Sequence, residues 1–192
     1  MLKSGSRGSD VRSLQKDCVS LGFGSHLGKH GCDGVFGNGT KESVMNMQKW
    51  LGVKIDGIVG KETKNAMNKA KNNAGRKGTF NFNINEFKCK GTGKMLASGM
   101  HYELLLKLEE LGYLLGNKPM VVTSGYRTAT HNKAVGGASG SQHLYGRASD
   151  IKVKNVSPSE VYRVANIVFA HGGVGKYSTF THVDVRGYKA RF

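Results

Sequence analysis

Three residues in the later part of the chain have the right types to hold a divalent cation: His143, Asp150 and His182. Two imidazole nitrogens and a carboxylate oxygen suit Zn²⁺ and leave a fourth position for water. A zinc ion held in this way lowers the pKa of that water and polarises a carbonyl, which is the chemistry of amide hydrolysis. His143 and Asp150 lie within "SQHLYGRASDIKV" (141–153). If that stretch were one helix, the two would be separated by roughly 10 Å of rise. Ligands that must each approach one ion to about 2 Å cannot be so far apart without strained reach. Gly140 and Gly146 also weaken a helix. The workable geometry is a loop that folds His143 back over the start of a strand carrying Asp150. On spacing alone, surface or hydrogen-bonded roles are the commoner ones for such residues near a strand.

The elements needed to position them can be read from the hydropathy pattern. In "DIKVK" (150–154), Ile151 and Val153 are apolar, which puts Asp150 on the other face with Lys152. In "FTHVDVR" (180–186), Val183 and Val185 are apolar, so His182, Asp184 and Arg186 share the opposite face. Each strand thus offers one face to a core and the other to a site. "MHYELLLKLEELG" (100–112) predicts a helix with a stripe of Leu104, Leu105, Leu108 and Leu111, ended by Gly112. "MVVTS" (120–124) reads as a strand, and 136–146 as a glycine- and serine-rich loop. "SPSEVYRVANIVFA" (157–170) reads as a helix capped by Ser157 with Pro158 in its first turn. The order helix, strand, loop, strand, helix, strand predicts an α+β domain with a small antiparallel sheet over residues 80–192.

The first 70 residues have a different texture. "DGVFGNGT" (33–40) and "DGIVGKET" (56–63) repeat Asp, Gly, Gly and Thr. Each opens on an Asp-Gly turn and ends on a threonine suited to capping a helix. Val44, Met47, Gln48 and Leu51 follow the first; Ala66, Met67 and Ala70 follow the second. Ahead of them Asp10 can cap a helix with inner face Val11, Leu14, Cys18 and Leu21. These signals predict an all-α three-helix bundle over 1–70, with "KNNAGRKGT" (71–79) as linker.

The 192-residue chain carries a formal net charge of +16, so a polyanion is an expected partner. No basic helix or aromatic-interleaved strand points to nucleic acid. No stretch has the length of a membrane span, and the start lacks the apolar run of a secretory signal. Cys18, Cys32 and Cys89 are odd in number and far apart, which reads as reduced thiols. His26, His30 and Cys32 cluster in a glycine-rich loop but lack a fourth ligand, and read as a solvated loop. Trp50 suits either core packing or stacking on a sugar.

The strings "SGYRTATHNKAVGGASGSQHLYGRASDI" and "HVDVRG" resemble the zinc D-Ala-D-Ala carboxypeptidase and L-Ala-D-Glu endopeptidase family of peptidoglycan peptidases. The signature is Ser141-x-His143-x-x-Gly146-x-Ala148-x-Asp150, joined by the later His182-Val183-Asp184. The resemblance implies that His143, Asp150 and His182 hold Zn²⁺, and that Arg127 contacts substrate and steadies charge on the tetrahedral intermediate. Many members carry an Asp or Glu three residues before the last zinc histidine; here that position is Thr179, which is no base near neutral pH. Asp184 is then either the base or a partner that holds an imidazole. His131, His171 and Tyr177 are looser candidates. The first region resembles three-helix peptidoglycan-binding domains. Together the two resemblances imply a phage endolysin, made in the host cytoplasm without a signal peptide. Its partners would be peptidoglycan and anionic wall polymers.

Overall fold

The computed structural model describes residues 1–192. Its first region contains α1 (Ser9–Ser20), α2 (Asn38–Leu51) and α3 (Lys61–Lys77), with a 3-10 segment, Gly24–His30, between the first two. That extra segment makes the region more than a strict three-helix bundle. Val11, Leu14, Cys18, Leu21, Val44, Met47 and Met67 form its core, with Leu51 and Ala70 packed at the margin. The expected inner faces are therefore the observed ones, except that Ala66 is half-buried and stands outside this core.

The expected caps are not. Gly8, Gly37 and Gly60 occupy the N-cap positions, and Thr40 and Thr63 sit inside the first turns. The threonine hydroxyls are engaged elsewhere, by two buried glutamines. Gln15 Nε2 donates to Asp33 Oδ1, the Val35 carbonyl and Thr40 Oγ1, while its Oε1 accepts from Gly34 N–H. Gln48 Nε2 donates to Asp56 Oδ1, the Ile58 carbonyl and Thr63 Oγ1, while its Oε1 accepts from Asp56 and Gly57 N–H. The sequence repeat is thus a repeated device. A helix glutamine grips the Asp-Gly turn that follows, and the threonine closes the ring.

The segment expected as a linker is helical as far as Lys77. The helix carries on through "KNNAGRK" because its last turns are packed against the second region. Ala74 belongs to the second core, and a Cβ at Gly75 would lie 2.0 Å from the Met100 carbonyl oxygen. Such close packing outweighs the low helix propensity of glycine and asparagine. One helix therefore serves two cores: Met67 packs in the first and Ala74 in the second.

The second region is α+β. It contains α4 (Tyr102–Leu114), β1 (Met120–Ser124), α5 (Ala129–Ala134), β2 (Ala148–Val153), α6 (Pro158–Val168), β3 (Gly173–Lys176), β4 (Thr181–Asp184) and β5 (Ala190–Arg191). The sheet order is β1-β2-β4-β3-β5. The first three pairings are antiparallel, but β5 runs parallel to β3. The sheet is therefore mixed, where a purely antiparallel one was expected. Leu104, Leu105, Leu108 and Leu111 of α4 and Val161, Val164 and Val168 of α6 pack with Val122, Ile151, Val153, Val174 and Val183 of the sheet. Ser157 caps α6, its hydroxyl accepting from Glu160 N–H. Helix α4 runs past Gly112 to Leu114, with Leu115 as its C-cap, followed by Gly116 at φ 77°. No helix is long and apolar enough to cross a membrane.

Candidate metal centre

Strand pairing brings the first two site residues together. In the β2–β4 register Asp150 lies opposite His182, so both side chains leave the same face of the sheet, away from Ile151 and Val183. His143 arrives from a 3-10 turn, Gln142–Tyr145, closed by Gly146 in the left-handed region at φ 63°. A Cβ at Gly146 would also press on the Gly99 carbonyl and Leu96. This is the folded-back loop that the spacing demanded.

His143 Nε2 lies 3.2 Å from Asp150 Oδ1 and 3.2 Å from His182 Nδ1, and His182 Nδ1 lies 2.8 Å from Asp150 Oδ1. All three side chains are buried. His143 Nδ1 is 2.6 Å from the Gly125 carbonyl, which can only accept, so that nitrogen carries the proton and Nε2 keeps a lone pair. His182 Nε2 is 3.1 Å from Asp184 Oδ2, which fixes the proton there and leaves Nδ1 with a lone pair. Two imidazole lone pairs and one carboxylate oxygen therefore face one another with no donor between them. Tetrahedral zinc with bonds of about 2.0–2.1 Å separates neighbouring ligand atoms by about 3.3 Å. The observed 2.8–3.2 Å fits a cation of that size.

Arg127 and Asp184 are set around this trio in different ways. Arg127 donates through Nη2 to Asp150 Oδ2 and through Nε to Ser124 Oγ, and its backbone N–H reaches the His143 carbonyl. It thus holds the second oxygen of Asp150 and leaves Oδ1 to the cluster. It also lines the cleft that opens onto the site, a space of about 630 Å³ bordered by Tyr177, Phe180 and Phe192. Asp184 is fully buried behind His182. Its oxygens accept from His182 Nε2, Gly173 N–H, Arg186 N–H and the Arg186 guanidinium. Asp184 therefore lies on the side of His182 remote from the three lone pairs. Asp150 is the sole carboxylate lining the cleft.

The electrostatics follow from these contacts. Burial alone would raise the Asp150 carboxyl, but a proton taken up by His143 or His182 in place of a cation hydrogen-bonds to it, and this prevails and holds the carboxyl well below the usual carboxylate range. Burial also opposes ionisation of Asp184, where His182 and Arg186 prevail in the same direction. For His182, burial favours the neutral ring, yet the carboxylates of Asp150 and Asp184, one at each ring nitrogen, favour the protonated ring, prevail and raise its pKa.

Among the looser candidates, Tyr177 lines the cleft while His131 and His171 do not. Thr179 is exposed in the turn before β4. His26, His30 and Cys32 do not converge; His143, Asp150 and His182 make up the one group of three or more metal-ligating side chains in the molecule. Trp50 is 38% exposed and packs its ring on Phe23 at 5.7 Å. The sequence reading missed the Gly125 carbonyl, the Gly173 N–H and Ser124. The first two are backbone groups, invisible to residue type. Ser124 could have been noticed three residues before Arg127.

The second region thus presents a His-Asp-His trio beside a fixed arginine, and it is joined to a helical region with two Asp-Gly turns. Residues 66–184 match the Peptidase M15 family, and residues 7–67 match a peptidoglycan binding domain. The protein belongs to the Peptidase M15 family and carries an N-terminal peptidoglycan-binding domain. It is 35% identical over 158 residues to the zinc D-Ala-D-Ala carboxypeptidase of Streptomyces albus G, with 78% of this chain and 60% of that protein aligned. The first region is 42% identical over 67 residues to the N-acetylmuramoyl-L-alanine amidase CwlL of Bacillus licheniformis, covering 35% of this chain and 18% of that enzyme. The crystal structure of the SleB N-terminal domain aligns at 39% identity with TM-score 0.33, over 36% of this chain and 89% of that one. The chain spans about 60% of the length of the Streptomyces carboxypeptidase.

Proposed function

We propose that the protein is a peptidoglycan hydrolase that holds one Zn²⁺ through His143 Nε2, Asp150 Oδ1 and His182 Nδ1 and cleaves an amide of the stem peptide. The observation that carries this reading is the convergence of three buried lone-pair atoms, each oriented by a hydrogen bond on its far side. When bound, the ion supplies Lewis acidity, polarising a carbonyl and lowering the pKa of water. Arg127, tethered by Ser124 and Asp150, supports charge stabilisation: a fixed guanidinium in the cleft is oriented before negative charge develops on the substrate oxygen. Asp184 acts as a positioning residue. Its contact with Nε2 selects the His182 tautomer, and its enclosure by Arg186 and Gly173 argues against a role as base for water.

The bond we favour is L-Ala-D-Glu, because a wall-binding region serves a lytic enzyme that must stay on polymer. The biological setting we favour is that of a phage endolysin acting from the host cytoplasm. The net charge of +16 supports attraction to anionic wall polymers. The similarity to the Streptomyces carboxypeptidase favours a second reading, trimming of D-Ala-D-Ala termini. Mass spectrometry of purified walls digested with the zinc-loaded protein separates the two. New N-terminal D-Glu identifies the endopeptidase, and loss of a single alanine identifies the carboxypeptidase. Muropeptides unchanged by the protein would overturn the hydrolase reading.

A further inference from the structure

A second cleft, of about 470 Å³, lies where α3 meets the segment between His143 and Asp150. It is separate from the metal centre, and its lining is chemically distinctive. Arg76 projects from α3, and Arg147 from the stretch just before β2. Neither guanidinium forms an ion pair or a side-chain hydrogen bond. No carboxylate lines the cleft. Tyr102 and Tyr145 border it and are 47% and 58% exposed. The His101 ring stacks on Tyr102 with centroids 5.4 Å apart, and its Nδ1 is buried without a hydrogen-bond partner.

The floor is rigid. Met100 N–H donates to the Gly75 carbonyl, and His101 N–H to the Gly146 carbonyl. Cβ atoms at Gly75 or Gly99 would come within 2.0 or 2.2 Å of backbone oxygens across this contact. The glycines thus let the two regions close together and form a preshaped groove.

These features select a ligand class. Two unpaired guanidiniums ask for an anionic oxygen group, which arginine binds in bidentate fashion. Exposed aromatic faces beside them ask for a flat, weakly polar surface such as a sugar ring. We infer that this junction cleft binds a sugar carrying an acidic substituent, either a carboxylated sugar such as N-acetylmuramic acid or a sugar phosphate. The site goes beyond the peptidase reading, since it requires neither the metal nor hydrolysis. Its occupant bridges the last helix of the first region and the segment that carries two of the proposed zinc ligands.

Calorimetric titration of the full chain, kept in chelator so that no hydrolysis occurs, tests the inference. The probes are the disaccharide of N-acetylglucosamine and N-acetylmuramic acid, N-acetylglucosamine 6-phosphate, and neutral chitobiose. At least one acidic probe binds more tightly than chitobiose, and the tighter of the two identifies the source. The double variant Arg76→Ala/Arg147→Ala weakens that binding at least tenfold, and Tyr145→Ala weakens it severalfold. Lys61→Ala/Lys64→Ala removes the same charge elsewhere and changes it less than twofold. All three replaced cleft side chains are exposed, and circular dichroism verifies that each variant is folded. Equal binding of all three probes, absence of binding, or an equal loss in the lysine control overturns the site.

Discussion

Gln48 and Asp150 are both polar, both buried, and both surrounded by hydrogen-bonding atoms, yet their surroundings are built on opposite principles. Around Gln48 every group has a complement: the amide nitrogen meets three acceptors and the amide oxygen meets two N–H groups. Around Asp150 Oδ1 the neighbours are two imidazole nitrogens whose protons are held on their far sides. A closed polar network in the first region fixes turns and calls for nothing more. An open one in the second region leaves three lone-pair atoms facing one another, the gap that the proposed cation would fill. The difference shows how a satisfied buried polar residue can be told from a ligand: by what its lone pairs face.

The comparison can be broken most severely at the open network. Asp150→Ala removes the proposed oxygen ligand and leaves Arg127 without its carboxylate. Release of new amino termini from purified walls is expected to fall by about a thousandfold or more, a size in keeping with loss of metal-assisted chemistry. Retention of a tenth of the activity would remove Asp150 from the ligand set. The closed network gives the next effect. Gln15→Ala or Gln48→Ala strands several buried groups, and each should cost about 2–4 kcal/mol in denaturant unfolding. Zinc affinity should be unchanged in both, because the metal centre belongs to the other core.

Asp184→Asn sharpens the comparison within the site itself. It leaves the three lone-pair residues in place but removes the charge that holds the His182 tautomer. Zinc affinity should fall by about 10–100-fold. An unchanged affinity together with lost turnover would instead return Asp184 to the role of base.

The smallest expected effect lies between the regions. Glu109, on α4, is buried and accepts from the backbone and side chain of Asn81. Burial raises its pKa despite the hydrogen bonds it accepts. A carboxyl with a folded-state pKa above its unfolded value favours folding most below the unfolded pKa, and that contribution is lost as pH rises through the folded pKa. Thermal melting should therefore show wild type losing ground to Glu109→Gln as pH rises from about 4, with a constant difference once Glu109 is ionised. A difference independent of pH would show that Glu109 titrates alike in both states.

Much of the site was legible because strands impose a period of two. The alternation of Ile151 with Val153 and of Val183 with Val185 placed Asp150 and His182 on polar faces before any register was known. Gly146 argued against a continuous helix through His143 and Asp150, and it closes the turn that returns His143. Other features were hidden for physical reasons. Strand β3, "GVGK", has two glycines and no alternation to read. Helix α3 continues through residues of poor helix propensity because tertiary packing against Met100 decides the matter. Gln48 lies within an apolar stripe and reads as part of the helix face. Gln15 stands between Leu14 and Cys18 in the same way, and a glutamine inside each stripe ahead of an Asp-Gly turn was the available signal.

Titration of zinc into chelator-stripped protein, followed by calorimetry in parallel with the Asp150→Ala variant, tests the open network most directly. The account predicts one zinc per wild-type chain, bound tightly and with proton release, and affinity in the variant lower by at least a hundredfold. Equal zinc binding by the two proteins, or none by wild type, would contradict it.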